Sequence, residues 1–267
     1  MTTPHGSRRL GGPRVLKAGR HSSSGGRGIQ STAERQAFQR VRSHELPYLY
    51  TDGRDVFTKN LTPGRSVYGE RRVSDTALEY RAWYPQRSKI AALVQKGCRH
   101  WPFRVRTRIL YLGAASGTTA SHLSDIATEG VVHCVEISPR AFQKLLAVAE
   151  LRENMNPILA DAVKPETYAR QVGEVDVLYQ DVSQRDQLGI FLKNARLLAP
   201  GGMGFLMVKS RSIDVAANPK RVFQGVVEAL KGTGLQVLDV FRLEPYEKDH
   251  AAVIVRRTGA SPQPDRA

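Results

Sequence analysis

Residues 109–126 decide the fold. Ile109-Leu110-Tyr111-Leu112 is a short apolar run, and Gly113-Ala114-Ala115-Ser116-Gly117-Thr118-Thr119 is a loop of small residues. Ala120, Leu123 and Ile126 then recur at helical spacing. A four-residue apolar run bounded by glycine reads as a buried strand, and apolar residues three apart read as one face of a helix. A strand turning through small residues straight into a helix opens a βαβ unit. The same loop is a candidate ligand cradle, because small side chains let backbone approach a ligand and a new helix offers unpaired N–H groups and a positive dipole end. Gly113, Ala114, Ser116, Thr118 and Thr119 are its candidate contacts. The spacing is not the strict G-x-G-x-x-G of dinucleotide-binding loops.

Toward the C-terminus, apolar runs at Val131 to Ile137, Pro157 to Ala160, Val175 to Tyr179, Gly204 to Val208, Leu235 to Phe241 and Ala251 to Val255 alternate with helical patterns. With Ile109 to Leu112 these make seven strands, the mark of a doubly wound, Rossmann-like α/β sheet. Only Arg242 to His250 separates the last two, too short a link for a helical crossover, so they are expected to pair as an antiparallel hairpin. An otherwise parallel sheet closed by such a hairpin is the arrangement of S-adenosylmethionine-dependent methyltransferases. A nicotinamide-dependent oxidoreductase would also want a glycine-rich loop, but it more often ends in another crossover.

Ligands of open α/β sheets bind at the carboxyl edge of the strands, where this sequence places a series of polar groups. Glu136 ends the second strand with Ile137 beside it, and can accept hydrogen bonds from ribose hydroxyls. Asp161 and Ala162 follow the third strand, with an acceptor and a backbone edge for an adenine ring. Asp181, Val182, Ser183 and Gln184 follow the fourth.

Toward the N-terminus, Gln86 to Lys96 reads as a helix, so a sheet domain is expected over 85–258. Residues 47–84 cluster Tyr, Val, Phe and Thr between turns such as Asp52-Gly53 and Pro63-Gly64, as in a small β-rich subdomain. Residues 1–46 carry a basic, Gly- and Ser-rich arm expected to be disordered, and 259–267 a short tail. The arm is either a phosphate-finding tether or a solvated tail.

The 267 residues include 40 Lys and Arg against 25 Asp and Glu, a net charge of +15, with a pI near 10.2. This points to a polyanionic partner, nucleic acid before membrane. No apolar run is long enough to cross a bilayer. Cys98 and Cys134 are too few for a disulfide framework and lack metal-ligand spacing, so no metal site and a reducing, intracellular compartment are expected.

Five segments extend the motif at 109–119 into a family pattern: Val135-Glu136-Ile137-Ser138, Glu244-Pro245-Tyr246-Glu247-Lys248-Asp249-His250-Ala251, and the earlier Lys59-Asn60-Leu61, Ser66-Val67-Tyr68-Gly69-Glu70 and Glu79-Tyr80-Arg81-Ala82-Trp83. In this order they closely resemble fibrillarin, the RNA 2′-O-methyltransferase of box C/D ribonucleoproteins, over about residues 47–257. The resemblance implies S-adenosylmethionine as cofactor, ribose 2′-hydroxyls of rRNA or tRNA as acceptors, and a guide RNA selecting the nucleotide. It also implies a Nop-family scaffold protein and a kink-turn-binding ribosomal-type protein as partners. The short arm, weak in Gly-Arg character, favours an archaeal-like, cytoplasmic member over a nucleolar eukaryotic one.

The family's Lys-Asp-Lys-His tetrad falls on Lys89, Asp181, Lys209 and His250. A lysine acts as a base only when neutral, a form favoured by desolvation and by a neighbouring cation. Lys209 is therefore the expected base or hydroxyl activator. Asp181 would orient it and the ribose, Lys89 would supply the neighbouring positive charge, and His250 would help position the reacting group. Departures from the pattern at Gln180, Ser183, Tyr84 and Gln86 touch no tetrad residue. Arg65, Arg71, Arg72, Arg81, Arg87 and Arg99 form a candidate phosphate track. The competing reading is an RNA-binding assembly subunit of the same fold that has lost its chemistry.

Overall fold

The computed structural model describes residues 41–75 and 77–259. Residues 1–40 of the expected arm and 260–267 of the expected tail lie outside them. Five short strands come first: β1 (Arg42–Ser43), β2 (Tyr50–Thr51), β3 (Val56–Lys59), β4 (Arg72–Ser74) and β5 (Glu79–Ala82). They pair antiparallel in the order β1-β2-β3-β5-β4. This subdomain begins before the expected boundary at 47, because Arg42 and Ser43 pair with Thr51 and Tyr50. A two-residue ladder carries no alternation that a sequence pattern would register.

The chain continues through α1 (Lys89–Gln95), β6 (Arg108–Leu112), α2 (Thr118–Ile126), β7 (Val131–Glu136), α3 (Pro139–Ala149), β8 (Met155–Leu159), α4 (Ala169–Val172) and β9 (Val175–Gln180). It ends with α5 (Gln187–Ala195), β10 (Leu198–Lys209), α6 (Ser210–Ile213), α7 (Pro219–Ala229), β11 (Leu235–Arg242) and β12 (His250–Arg257). The helix expected from Gln86 starts three residues later, because Arg87 donates its N–H to the Tyr84 carbonyl in a turn around Pro85. As a result Lys89 stands at the helix start.

Strands β6 to β12 form one sheet in the order β11-β12-β10-β9-β6-β7-β8. Pairs among β10, β9, β6, β7 and β8 are parallel, while β12 runs antiparallel to both β10 and β11, as the short last connection requires. Pro157 sits inside β8, which is tolerable because β8 is an edge strand and one missing N–H there breaks no central ladder. Alternation along the strands feeds two cores. Ile109, Tyr111, Val177, Tyr179 and Phe205 pack with α1 and α2 on one face, and Leu110, Leu112, Leu178, Leu206 and Val208 pack with α5 and α7 on the other. The strand order reverses between β6 and β9, which opens a crevice at their carboxyl ends.

The N-terminal sheet is fastened to α2 by a buried polar network. Arg81, fully buried on β5, donates from Nε to Glu70 at 2.8 Å, from Nη1 to Asp125 at 3.2 Å and from Nη2 to the Ser121 hydroxyl at 2.9 Å. Arg152 reaches the other Asp125 oxygen at 2.6 Å, and the Thr58 hydroxyl donates to Asp125 at 2.7 Å. His122 bridges the Thr58 hydroxyl (2.8 Å) and the Tyr68 hydroxyl (2.9 Å). Its pKa lies well below the usual imidazole value because it is buried, and because Arg81 and Arg152 are already cations. Every charge in this cluster has a partner, the condition under which buried ions persist.

Candidate active site

The loop after β6 is shaped first by the protein's own packing. The N–H groups of Gly113 and Ala114 donate to the Val135 carbonyl at 2.9 and 3.1 Å. Gly113 has φ +83°, and a Cβ there would lie 2.4 Å from the Asp181 carbonyl oxygen, so only glycine lets the ends of β6 and β9 close on each other. Ala115 is also left-handed, at φ 48°. This turns its N–H onto Glu136 Oε2 at 2.8 Å, while Glu136 Oε1 accepts the Ser138 N–H at 2.8 Å. The second-strand acid is thereby locked across the loop. A carboxylate has about four lone-pair sites, so both oxygens keep capacity for a ligand.

A cleft of about 430 Å³ opens beside Glu136, lined by Gly113, Ala115, Val135, Glu136, Ile137, Ala160, Ala162, Asp181, Val182, Ser183 and Gln184. It brings together the expected Gly113, Glu136, Ile137, Ala162, Asp181, Val182, Ser183 and Gln184. The other expected contacts sit elsewhere. Ala114 is buried, and Thr119 is buried with its hydroxyl donating to Ser88 at 2.9 Å. Thr118, first residue of α2, is not among the lining residues. Ser116 lines a separate cleft with Arg65 and Lys144. The Asp161 carboxylate accepts the Val163 N–H at 3.0 Å, off the cleft wall. Sequence reasoning missed Ala115, Val135 and Ala160. Only backbone geometry reveals them, since apolar and small side chains carry no chemical signature.

The four residues of the tetrad come from four separate elements. Lys89 at the start of α1 holds Asp181, just past β9, with Nζ 2.9 Å from its carboxylate. Lys209 ends β10 directly opposite His250, the first residue of β12. The main chain of Lys209 is clamped by Gln187, whose Oε1 accepts its N–H at 2.9 Å and whose amide donates to its carbonyl at 3.1 Å. His250 is buried, and its Nδ1 lies 2.7 Å from the Lys248 carbonyl oxygen. Because a carbonyl can only accept, Nδ1 carries the hydrogen and Nε2 of the neutral ring is the free acceptor. Burial lowers the His250 pKa; the Lys248 carbonyl opposes this, Lys89 adds to it, and Glu247 and Asp181 oppose it, so both members of the ion pair act on the ring.

Two expectations are corrected here. Asp181 holds Lys89 rather than Lys209, since α1 delivers Lys89 to the end of β9 and, among the described residues, no carboxylate pairs with Lys209. The phosphate track is also reduced. Arg81 is fully buried in the α2 network, Arg71 is taken by Asp52 and Asp55 (2.6 and 2.9 Å), Arg72 by Glu79 (2.9 Å) and Arg99 by Glu45 (3.5 Å). Arg65 and Arg87 have no carboxylate partner among the described residues, and Arg87 lies over the Tyr68 ring with its guanidinium carbon 5.8 Å from the centroid.

Comparison with known proteins agrees with this architecture over almost all the described residues. The fibrillarin family profile matches residues 39–259. A fibrillarin-like rRNA/tRNA 2′-O-methyltransferase of Thermococcus onnurineus is 47% identical over 225 residues, covering 82% of this chain and 99% of that protein. The crystal structure of Aeropyrum pernix fibrillarin with natively bound S-adenosyl-L-methionine superposes with a TM-score of 0.75 at 43% identity, covering 81% of this chain and 97% of the other. A fibrillarin/Nop5p complex gives a TM-score of 0.74 at 40% identity, covering 80% and 100%. The mostly parallel sheet with its terminal hairpin is thus the Rossmann-like methyltransferase fold, and by sequence and structure together this chain belongs to the fibrillarin family.

Proposed function

We propose that this protein transfers the methyl group of S-adenosylmethionine to ribose 2′-hydroxyls of rRNA or tRNA, at nucleotides chosen by a box C/D guide RNA. A Nop-family scaffold protein and a kink-turn-binding protein would complete the particle. The observation that carries the reading is the meeting of Lys89, Asp181, Lys209 and His250 at the carboxyl edge of the sheet, with Asp181 also lining the cleft beside Glu136. Membership of a family with curated rRNA/tRNA 2′-O-methyltransferases supports it.

The cleft fits the cofactor. Its size is that of a small-molecule site, its walls are mostly small and apolar with Asp181, Ser183 and Gln184 as polar groups, and Glu136 keeps acceptor capacity for ribose hydroxyls. Ile137 and Ala162 would flank the adenine, with Asp161 nearby, and Asp181 to Gln184 would line the side facing the acceptor. When bound, S-adenosylmethionine supplies an electrophilic methyl on a sulfonium.

The protein's own task is to hold a ribose hydroxyl in line with that methyl and to take its proton. Lys89 is engaged by Asp181, whereas Lys209 has no carboxylate partner among the described residues. Lys209 is therefore assigned as proton acceptor, the Lys89–Asp181 pair as the fixed electrostatic wall beside it, and His250 as its neighbour across the ladder. Arg65 and Arg87 would receive phosphates of the RNA strand.

The deciding experiment follows label from S-adenosylmethionine into target RNA, using the full chain with and without guide RNA and the two partner proteins. Label on one ribose 2′-oxygen, dependent on the guide, is the expected result. An assembled particle that binds S-adenosylmethionine yet transfers no methyl would instead mark a silent assembly subunit.

A further inference from the structure

Lys209 stands past the end of the neighbouring strand that would support it. β9 accompanies β10 only as far as Leu206, which pairs with Gln180. Lys209 pairs with His250 of β12 on one side and has no strand beside it on the other. Its N–H and C=O both face that open side, where main-chain groups shielded from water need a partner. The Gln187 carboxamide supplies it, accepting the N–H at 2.9 Å and donating to the carbonyl at 3.1 Å. A side-chain amide carries the same donor and acceptor as a peptide group, so Gln187 serves as one further peptide of β9.

Gln187 is itself held on several sides. It is 1% exposed, and it opens α5 directly after Asp186, whose carboxylate caps that helix by accepting the Gly189 N–H at 2.9 Å. Its carbonyl accepts from Gln180 Nε2 at 2.7 Å. Gln180 is fully buried, and its Oε1 has no partner among the described residues. A half-satisfied buried amide costs stability, and the half that is satisfied here is the one that holds Gln187. Gln180 ends β9 immediately before Asp181. The chain Gln180–Gln187–Lys209 therefore ties the two halves of the tetrad, Lys89–Asp181 and Lys209–His250, to each other.

We propose that Gln187 is a positioning residue for methyl transfer, with Gln180 as its anchor, and that together they set the place of Lys209 relative to the Lys89–Asp181 pair. This rests on the methyltransferase reading above. A lysine amine rides on a flexible four-carbon stem, so its position is reproducible only when the main chain at its root is fixed. Reaction between bound groups is sensitive to such placement, and an error of about 1 Å can cost about 10²-fold in rate. Gln187 does not line the cleft beside Glu136, so its effect falls on the transfer step and spares cofactor binding.

The test is a double-mutant cycle in the assembled particle under single-turnover conditions, where the measured step is methyl transfer itself. Gln187→Met keeps the length of the side chain and removes both hydrogen bonds to Lys209. It should slow transfer about 10–100-fold, with S-adenosylmethionine affinity within about twofold of the wild type. Added to Lys209→Ala it should cost no more than about a further twofold, because the residue it positions is gone. A wild-type rate in Gln187→Met overturns the proposal, and so do two losses that multiply in full, the result expected of a general support of the fold. Amide hydrogen exchange of the isolated full chain reads the clamp without turnover. The Lys209 N–H should exchange about tenfold faster or more in Gln187→Met, while amides in the middle of β10 and β12 keep their rates. An unchanged Lys209 amide, or an equal acceleration along all of β10, also overturns it. Should Gln187→Met not fold, Gln180→Ala, which frees only the Gln187 carbonyl, should move rate and exchange less but in the same direction, and no movement counts against the inference. A wild-type particle that transfers no methyl refutes the methyltransferase reading, while hydrogen exchange still decides whether Gln187 holds Lys209.

Discussion

Two clusters of charge, one under the N-terminal sheet and one at the carboxyl edge, use similar side chains for opposite ends. In the first, Arg81, Glu70, Asp125 and Arg152 have side chains at most 1% exposed, and each finds a charged partner. In the second, Lys89 and Asp181 are 16% and 23% exposed, while Lys209 has no carboxylate and Glu247 no donor among the described residues. A saturated network fixes geometry and offers nothing to a reactant. An unsaturated one leaves groups free to exchange protons, at some expense in stability. If the proposed roles of Lys209 and its neighbours hold, satisfaction of partners, more than residue type, separates scaffold from chemistry here.

The contrast can be broken by substitutions that should each move one property and not the other. Lys209→Ala should lower the single-turnover rate about 10²–10⁴-fold with a thermal midpoint close to wild type; retained turnover would return Lys209 to the solvated surface. Arg81→Met should do the reverse. It strands Glu70 and part of Asp125 in a buried site, costing about 3–5 kcal/mol in denaturant unfolding, while turnover below its lowered midpoint persists. A small stability change there would mean that water reaches the network.

Two smaller effects sharpen the same line. His122 is kept neutral in the fold, with its pKa well below the ordinary 6.5. The unfolded chain therefore binds more protons below about pH 6.5, and stability is lost as pH falls through that value. Its share of the slope is at most about 1.4 kcal/mol per pH unit. His122→Gln should flatten the acid side of a midpoint-against-pH curve, and an unchanged slope would show that the ring is already charged in the fold. Finally, Lys89→Met should shift stability by no more than about 1 kcal/mol, as for other partly exposed pairs, yet slow methyl transfer measurably. Equal losses in both would place Lys89 with the scaffold.

Much of this was legible in the sequence where the signal was periodic or chemical. Seven strands followed from apolar runs, the hairpin from the brevity of Arg242 to His250, and the Glu136–Asp181 edge from acids at strand ends. The tetrad came from family resemblance, and α1, β10 and β12 place its members as neighbours. What stayed hidden depended on partners distant in the chain. Arg81 reads as a surface cation until Glu70 and Asp125 enclose it. Asp181 reads as a partner for Lys209 until α1 brings Lys89 to it. Ala115 is silent because its contribution is a backbone angle, and Ser116 lines a separate cleft because a side chain in a tight loop can face either way.

The Lys209–His250 register carries a consequence for how this protein can change over generations. Both side chains owe their meeting to a ladder whose repeat is two residues. Losing or gaining one residue in the link from Leu243 to Asp249 without a compensating bulge would slide β12 by about 3.4 Å and turn His250 to the opposite side of the sheet. Lineages of this protein should therefore tolerate spelling changes in that link far better than changes in its length. The count of residues between the two strands is itself an inherited trait.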